Sequence, residues 1–260
     1  MAMAALKGIV LAALGLYMAY AALMIWLHPR FIYPFSQQPF AHAGYTRHDL
    51  SDGPVVYAHD AGTGAPLVVY IMGNAGSLEL FVAMLDHHRA AGRSVVAMGF
   101  RGGGGLPGAP SEPVLKADAL AAFDAAPGLV ADPGAVIVQG YSLGTGLALH
   151  VAARRAVDGL ILSAPYAKLC RLMAQASYLP ACLLPGVQKW NSQEDAQNIR
   201  APSLVLHGGA DRLIPTAEGE LLASFLPSQS RFVRIDGAGH TDLMRFPSYL
   251  VEIDEFAEGL

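Results

Sequence analysis

The sequence is poor in charge and in cysteine. Only 15% of its 260 residues are charged, the formal net charge is -4, and no run of lysine or arginine is interleaved with aromatic residues. A nucleic-acid-binding face needs such a basic patch, so we expect no nucleic-acid partner. The two cysteines, Cys170 and Cys182, are too few for a disulfide framework and form no CxxC metal pair. We therefore expect free, partly buried thiols, with a disulfide between them as the alternative if the domain faces an oxidising compartment.

One long uncharged stretch lies near the N-terminus. Residues 8–27 read GIVLAALGLYMAYAALMIWL, about the 20 residues that a helix needs to cross a bilayer. Tyr17, Tyr20 and Trp26 within it are ring types that favour a membrane interface. A cleaved secretory signal has a shorter apolar core, of roughly 7 to 15 residues, followed by a small-residue cleavage site. Since bulky residues end this stretch, we predict an uncleaved single-pass anchor, with a cleaved signal or a buried soluble helix as alternatives.

The positive-inside rule barely orients this anchor. Lys7 and the amino terminus lie on one side of the stretch, and Arg30 and Arg47 lie on the other. The expected location is therefore the membrane, with the side that holds the remaining chain left open. We assign the anchor to residues 1–30 and a linker, rich in proline and aromatic residues, to residues 31–44.

The remainder of the chain alternates short apolar runs with longer helix-like segments. The apolar runs cover residues 55–59, 67–72, 95–100, 136–139, 160–162, 204–206 and 232–235. Continuous Val, Ile and Leu are typical of strands that are covered on both faces, and alternation with helices indicates a mostly parallel sheet. We predict one α/β domain over residues 45–260 with about eight strands. Residues 166–201 are too long for an ordinary connection and are predicted to form a short lid.

Residues 140–144 read GYSLG and match the pattern G-x-S-x-G between a predicted strand and a predicted helix. In that context the turn is tight and strained, and it lifts the hydroxyl of Ser142 out of the sheet edge. The glycines at 140, 144 and 146 could instead cradle a nucleotide phosphate, but such a turn normally follows the first strand of its fold, and several predicted strands precede this one. We therefore predict that Ser142 is a nucleophile, with a phosphate cradle or a plain tight turn as alternatives.

A serine nucleophile needs a histidine to accept its proton and a carboxylate to orient that histidine. Asp211 follows one predicted strand and His240 follows the next, in the order serine, acid, histidine. Asp236 lies on the same loop as His240 and is the weaker candidate for the acid. His207 lies within or at the end of a strand, where a packed structural histidine is expected. The histidine pair at 87 and 88 lacks metal-ligand spacing and is expected at a solvent-exposed helix end.

Two further groups complete the predicted site. Residues 73–76, GNAG, follow an early strand, and we expect the backbone amides of Asn74 and Leu143 to form an oxyanion hole. The alternative is an ordinary strand-to-helix loop. In the predicted lid, Leu172, Met173 and Tyr178 are expected to contact substrate. No residue pattern indicates a cofactor or a metal.

Together these motifs resemble the α/β-hydrolase superfamily over roughly residues 45–258. Residues 99–112, GFRGGGGLPGAPSE, are similar to the R-G-Y-G-x-S-x-G-x-P-S-E loop of the membrane-anchored α/β-hydrolase domain proteins. That group also has an N-terminal anchor, a G-N-A-G loop and a short lid. This chain departs from its pattern at Met72, where histidine is usual, and at Gly103, where an aromatic residue is usual. The resemblance implies an α/β-hydrolase fold and a serine hydrolase acting on acyl esters, thioesters or lysophospholipids.

The sequence thus predicts a membrane-anchored serine hydrolase that cleaves carboxylic ester or thioester bonds through an acyl-enzyme. Its expected partners are a small acyl ester or lipid substrate and the membrane itself. The alternative is a catalytically silent membrane scaffold with the same fold. Haloalkane dehalogenation is disfavoured because it normally uses an aspartate where Ser142 stands, whereas cofactor-free peroxidation stays open.

Overall fold

The computed structural model describes residues 2–51 and 53–260. It contains a 31-residue N-terminal helix, α1 (Ala2–Ile32), followed by one eight-stranded sheet. The strands are β1 (Thr46–Asp49), β2 (Val55–His59), β3 (Leu67–Ile71), β4 (Ser94–Met98), β5 (Val136–Tyr141), β6 (Gly159–Ser163), β7 (Ser203–Gly208) and β8 (Arg231–Ile235). The helices that follow α1 are α2 (Val82–Ala90), α3 (Glu112–Ala125), α4 (Leu143–Ala152), α5 (Leu169–Ser177), α6 (Ser192–Ala196), α7 (Thr216–Ala223) and α8 (Pro247–Glu258). Three short 3-10 turns cover Leu78–Phe81, Ala126–Leu129 and Leu243–Arg245.

The sheet has the strand order β1-β2-β4-β3-β5-β6-β7-β8. β2 runs antiparallel to both of its neighbours, whereas the pairs from β4 through β8 are all parallel. Every residue of β3, β4, β6 and β7 is buried, as expected for strands covered on both faces. The predicted α/β class and mostly parallel sheet of about eight strands are confirmed. β1 was not predicted, because its sequence TRHD is polar and mostly exposed at the sheet edge.

The parallel arrangement brings functional candidates to one edge of the sheet. Asn74, Ser142, Asp211 and His240 each lie just beyond the carboxyl end of a parallel strand, namely β3, β5, β7 and β8. Carboxyl ends of parallel strands meet at the same edge, which is where open α/β sheets bind their ligands. The order of the strands therefore gathers residues from four separate loops.

The segment predicted as a linker is ordered against the sheet domain. Phe40 is buried, and the ring of Phe35 lies 5.4 Å from that of Phe100. The backbone amide of Ser36 donates to the carbonyl of Ala75 at 2.8 Å, beside the GNAG loop. A Cβ atom at Gly103 would lie 2.2 Å from the carbonyl oxygen of Gly76 and 3.1 Å from the ring of Phe35. The aromatic residue that is usual at position 103 has no room here.

The paired histidines on α2 are not a solvent-exposed helix end. The side chain of His88 is buried and its Nε2 donates to Oε1 of Gln139 on β5 at 2.6 Å, while Arg93 donates to its Nδ1 at 3.2 Å. Burial, together with the nearby charge of Arg93, lowers the pKa of His88 to about 3. His88 is therefore a neutral core residue, and His87 pairs with Asp254 at 3.0 Å.

Cys170 and Cys182 form a disulfide within the lid segment, which we define as residues 166–201. Their Cα atoms lie 5.0 Å apart although 12 positions separate them in the sequence. The chain reverses at Tyr178, which ends α5 in the left-handed conformation with φ 57°, and this reversal brings Cys182 back to α5. The expectation of free thiols is wrong, because spacing alone does not reveal such a reversal.

We expect the disulfide to stabilise the lid segment. A short loop closed by a disulfide contributes about 2 to 4 kcal/mol to the free energy of unfolding. A double variant, Cys170→Ser with Cys182→Ser, should lose that amount in denaturant unfolding. In denaturant, a maleimide should label the wild-type protein only after reduction, whereas labelling without reductant would contradict the disulfide.

Candidate active site

The turn between β5 and α4 holds Ser142 in a strained backbone conformation. Ser142 has φ 49° and ψ −116°, a region that residues with a side chain rarely adopt. A Cβ atom at Gly144 would lie 2.2 Å from the carbonyl oxygen of Ile71, and one at Gly140 would lie 2.5 Å from the carbonyl oxygen of Gly144. Glycine is needed at both positions because backbone approaches backbone there.

The glycines of this turn allow close packing of the elements around it. Besides the contact of Gly144, a Cβ atom at Gly146 would lie 2.4 Å from the hydroxyl of Tyr166 and 3.2 Å from that of Ser192. These glycines are thus used for close packing of α4 against β3 and the lid segment. This packing accounts for the three glycines without a bound phosphate.

The structure brings Ser142, His240 and Asp211 into one hydrogen-bonded chain. Nε2 of His240 lies 2.9 Å from Oγ of Ser142, within the distance for the hydroxyl to donate. Nδ1 of His240 lies 2.7 Å from Oδ2 of Asp211, so that this nitrogen donates to the carboxylate. The chain runs from a hydroxyl through an imidazole to a carboxylate, the arrangement in which a histidine can remove the hydroxyl proton.

The carboxylate of Asp211 is held by several donors. Its Oδ1 accepts the backbone amides of Leu213 and Ile214, both at 2.9 Å. Nε2 of His207 lies 3.4 Å from Oδ2 and donates to the carbonyl of Ile214 at 2.9 Å. Burial acts to raise the pKa of Asp211, but hydrogen bonds from His207 and His240 outweigh it, and the pKa lies well below its usual range. The group is therefore ionised at neutral pH.

The alternative acid and base lie away from Ser142. Asp236 is exposed and binds the guanidinium of Arg234 at 2.8 Å, at the surface. His207 is fully buried on the far side of Asp211, where it supports the carboxylate rather than the nucleophile. The interpretation of His207 as a packed structural histidine agrees with this position.

Tyr141 is a positioning residue that the sequence did not indicate. Its hydroxyl donates a hydrogen bond to the backbone carbonyl of His240, and the two rings lie 6.1 Å apart in an edge-on arrangement. The residue before Ser142 thereby fixes the loop that carries His240. No pattern could have revealed this contact, because 99 positions separate the two residues.

The predicted oxyanion donors lie beside Ser142. Asn74 and Leu143 line the same cavity as Ser142. Leu143 is the first residue of α4, so its amide has no acceptor within the helix. The amide of Asn74 makes no backbone hydrogen bond within residues 2–51 and 53–260. A Cβ atom at Gly73 would lie 3.4 Å from Cβ of Ser142, which shows how closely the GNAG loop approaches the turn.

A mainly apolar cavity of about 460 Å³ opens at Ser142. Leu172 and Met173 of the lid segment line it, and their contact with substrate stays a prediction. Tyr178 does not, because the left-handed reversal at the end of α5 leaves its side chain 89% exposed; the prediction of a substrate contact for Tyr178 is wrong. Among the described residues, no group of three or more histidine, cysteine, aspartate or glutamate side chains could hold a metal ion.

Comparison with known proteins finds relatives that are named hydrolases. No protein-family model matches the chain. Over 199 residues it is 32% identical to the uncharacterized protein Rv2307c of Mycobacterium tuberculosis, an alignment that covers 76% of this chain and 70% of that protein. It is 29% identical over 193 residues to the lysophosphatidylserine lipase ABHD12 of Rattus norvegicus, covering 64% of this chain and 46% of the lipase.

The solved structures show the same fold at low identity. The esterase Pf2001 of Pyrococcus furiosus superposes with a TM-score of 0.69 at 17% sequence identity, over 87% of this chain and 98% of the esterase. At that identity the likeness concerns the fold. The sheet order, the strained serine turn at the end of β5 and these relatives agree with one another. The chain belongs to the α/β-hydrolase superfamily.

Proposed function

We propose that this protein is a serine hydrolase that cleaves ester or thioester bonds of acyl, lipid-like substrates. The observation that carries the proposal is the hydrogen-bonded chain Ser142–His240–Asp211 at a strained turn that opens into an apolar cavity. One relative is named a lysophosphatidylserine lipase and one structural neighbour an esterase. The competing interpretation is a silent membrane scaffold with the same fold, which needs neither the strained turn nor the aligned imidazole.

The proposed reaction is acyl transfer to water. Nε2 of His240 accepts the proton of Ser142 while Oγ attacks the acyl carbon, and the amides of Asn74 and Leu143 stabilise the oxyanion. The charged imidazolium is stabilised by Asp211, and His240 then protonates the leaving alcohol or thiol. His240 then removes a proton from water, which attacks the acyl carbon. The bond from Oγ to that carbon breaks, His240 returns the proton to Oγ of Ser142, and the carboxylic acid leaves.

We also propose that α1 anchors the protein in a membrane. It is the one helix among the described residues that is long and apolar enough to span a bilayer. Only 6% of its most apolar 18-residue window is buried, whereas the core helix of a soluble protein is mostly buried. An apolar surface of this extent is stable in lipid and costly in water.

The nucleophile can be tested by removing one hydroxyl. We expect Ser142→Ala to lower hydrolysis of p-nitrophenyl butyrate by about 10⁴-fold or more, because no other group would attack the ester. The same variant should no longer be labelled by a fluorophosphonate. Ser224→Ala removes the hydroxyl of an exposed serine at the end of α7 and should leave both unchanged.

Two results would contradict this assignment. Labelling that persists in Ser142→Ala would place the nucleophile at another residue. A folded wild-type protein that neither turns over the ester nor reacts with the fluorophosphonate would favour the scaffold.

The proposed role of Asp211 can be tested by removing the charge of its side chain. Asp211→Asn should lower kcat by about 10⁴-fold, because the amide no longer orients and stabilises the imidazolium. It should also lower the free energy of unfolding at neutral pH. Since the folded pKa lies below the unfolded value of about 3.9, the stabilisation is complete above that value and is lost as the pH falls through the folded pKa. Urea unfolding at a series of pH values should therefore show that the difference in free energy of unfolding between wild type and Asp211→Asn becomes smaller in acid. A difference that becomes larger in acid would refute the assignment.

The anchor is tested by placing charge in α1. The wild-type protein should stay in the membrane pellet after an alkaline carbonate wash and should keep residues 2–27 in its N-terminal peptide. Leu11→Asp with Leu14→Asp should release it, since each aspartate adds about 3 kcal/mol at the centre of a span. Val251→Asp, on exposed surface of α8, is the matched control. A mature protein without α1 would instead identify a cleaved signal.

A further inference from the structure

The end of α1 lines the same cavity as Ser142. Residues 24, 25, 28, 31 and 32 repeat at the spacing of one helix face. The five side chains on that face that line the cavity are Met24, Ile25, His28, Phe31 and Ile32. The opposite wall is formed by the lid segment, with Leu172, Met173, Leu179 and Leu184 among its lining residues. The helix that would cross the membrane is thus also part of the binding site.

Polar contacts hold this end of α1 against the lid segment. The hydroxyl of Tyr20 donates to the carbonyl of Ser177 at 3.0 Å, and the backbone amide of Gln188 donates to Nε2 of His28 at 3.1 Å. Nδ1 of His28 donates to the carbonyl of Ile25 at 2.6 Å. Both ring nitrogens of His28 are therefore occupied, and the buried ring presents no free polar atom to the cavity. This wall has a fixed position.

The opposite wall is fixed by the disulfide. Cys170 packs with Ala181 and Val187 in a small cluster, and Ile25 of α1 contacts that cluster. The disulfide ties α5 to the loop that carries Ala181. The two walls are thus joined to each other through apolar packing next to a covalent link.

The mouth of the cavity is apolar and faces outward beside α1. Phe31 and Leu213 line the cavity and are each 62% exposed. Two further large side chains of the lid segment, Tyr178 and Leu183, are also exposed, and the carbonyl of Tyr178 accepts the hydroxyl of Tyr17 on α1 at 3.4 Å. Exposed apolar groups that adjoin a membrane-spanning helix are stabilised by immersion in lipid.

We propose that residues 24–32 of α1 form the acyl-chain wall of the active site, so that a single-chain ester enters from the bilayer between α1 and the lid segment. Met24 then sets the acyl length that the cavity accepts. The cavity walls favour a hydrocarbon chain because, away from Ser142, they offer apolar surface and hydrogen-bonding groups that are already paired. This inference rests on the proposed hydrolase function.

The test is the acyl-length profile of the full chain in detergent micelles. For p-nitrophenyl acetate, octanoate and palmitate we would measure kcat/KM in wild type, Met24→Trp, Met24→Ala and Leu23→Trp. Met24→Trp fills the cavity and should lower the ratio of octanoate to acetate by about tenfold or more. Met24→Ala should raise the ratio of palmitate to octanoate. Leu23 is 50% exposed on the same helix outside the cavity, so Leu23→Trp should keep the wild-type profile.

Each outcome separates the inference from the proposed function. If Met24→Trp and Leu23→Trp show the same dependence of kcat/KM on acyl length while both still hydrolyse the acetate ester, α1 does not form the acyl-chain wall. The proposed hydrolase function is then unaffected. If the wild-type protein shows neither turnover nor fluorophosphonate labelling, the proposed function fails instead. A Met24→Trp variant that does not fold is recognised because it no longer reacts with the fluorophosphonate. The test then rests on Met24→Ala, and a ratio of palmitate to octanoate equal to that of wild type overturns the inference.

Discussion

The strained backbone of Ser142 is held by glycines that let β5, α4 and β3 approach one another through backbone alone. With Gly144 against the carbonyl of Ile71, the first turn of α4 lies directly beside β3, and the loop after β3 comes within reach of the serine. The same close approach therefore places the hydroxyl at the wall of the cavity and brings Asn74 next to it. A side chain at Gly140 or Gly144 would push these elements apart and disrupt the site, because tightly packed backbone contains no flexible group that could move aside.

Around this turn, His240 and Asp211 are each supported by one further side chain. Tyr141 binds the backbone of His240, and His207 supports Asp211 from the buried side. The carboxylate is ionised because the hydrogen bonds to it outweigh the cost of burial. These contacts hold His240 and Asp211 in place, and groups positioned in advance stabilise a transition state without a cost of reorganisation.

The substrate cavity, by contrast, is assembled from parts that are far apart in the chain. α1, the GNAG loop, the serine turn and the lid segment each contribute one side. The disulfide between Cys170 and Cys182 closes the lid segment on itself, and the ordered residues after α1 connect the helix to the GNAG loop through Ser36. The apolar helix α1 and the apolar cavity at Ser142 therefore share one surface, so that the proposed anchor and the proposed acyl site form one unit.

Local patterns in the sequence determined the strand–helix alternation, the serine turn and the order of acid and base, because each depends on residues close together in the chain. The structure brings Ser142, Asp211 and His240 within hydrogen-bonding distance, at the edge where parallel strands end. Local patterns did not predict the polar edge strand β1 or the burial of His88, because strand pairing and burial depend on residues that are distant in the sequence. Only the tertiary structure decided that the cysteines pair, that Tyr178 faces outward and that α1 lines the cavity, because each depends on a chain reversal or a docking angle, which hydrophobic periodicity does not encode.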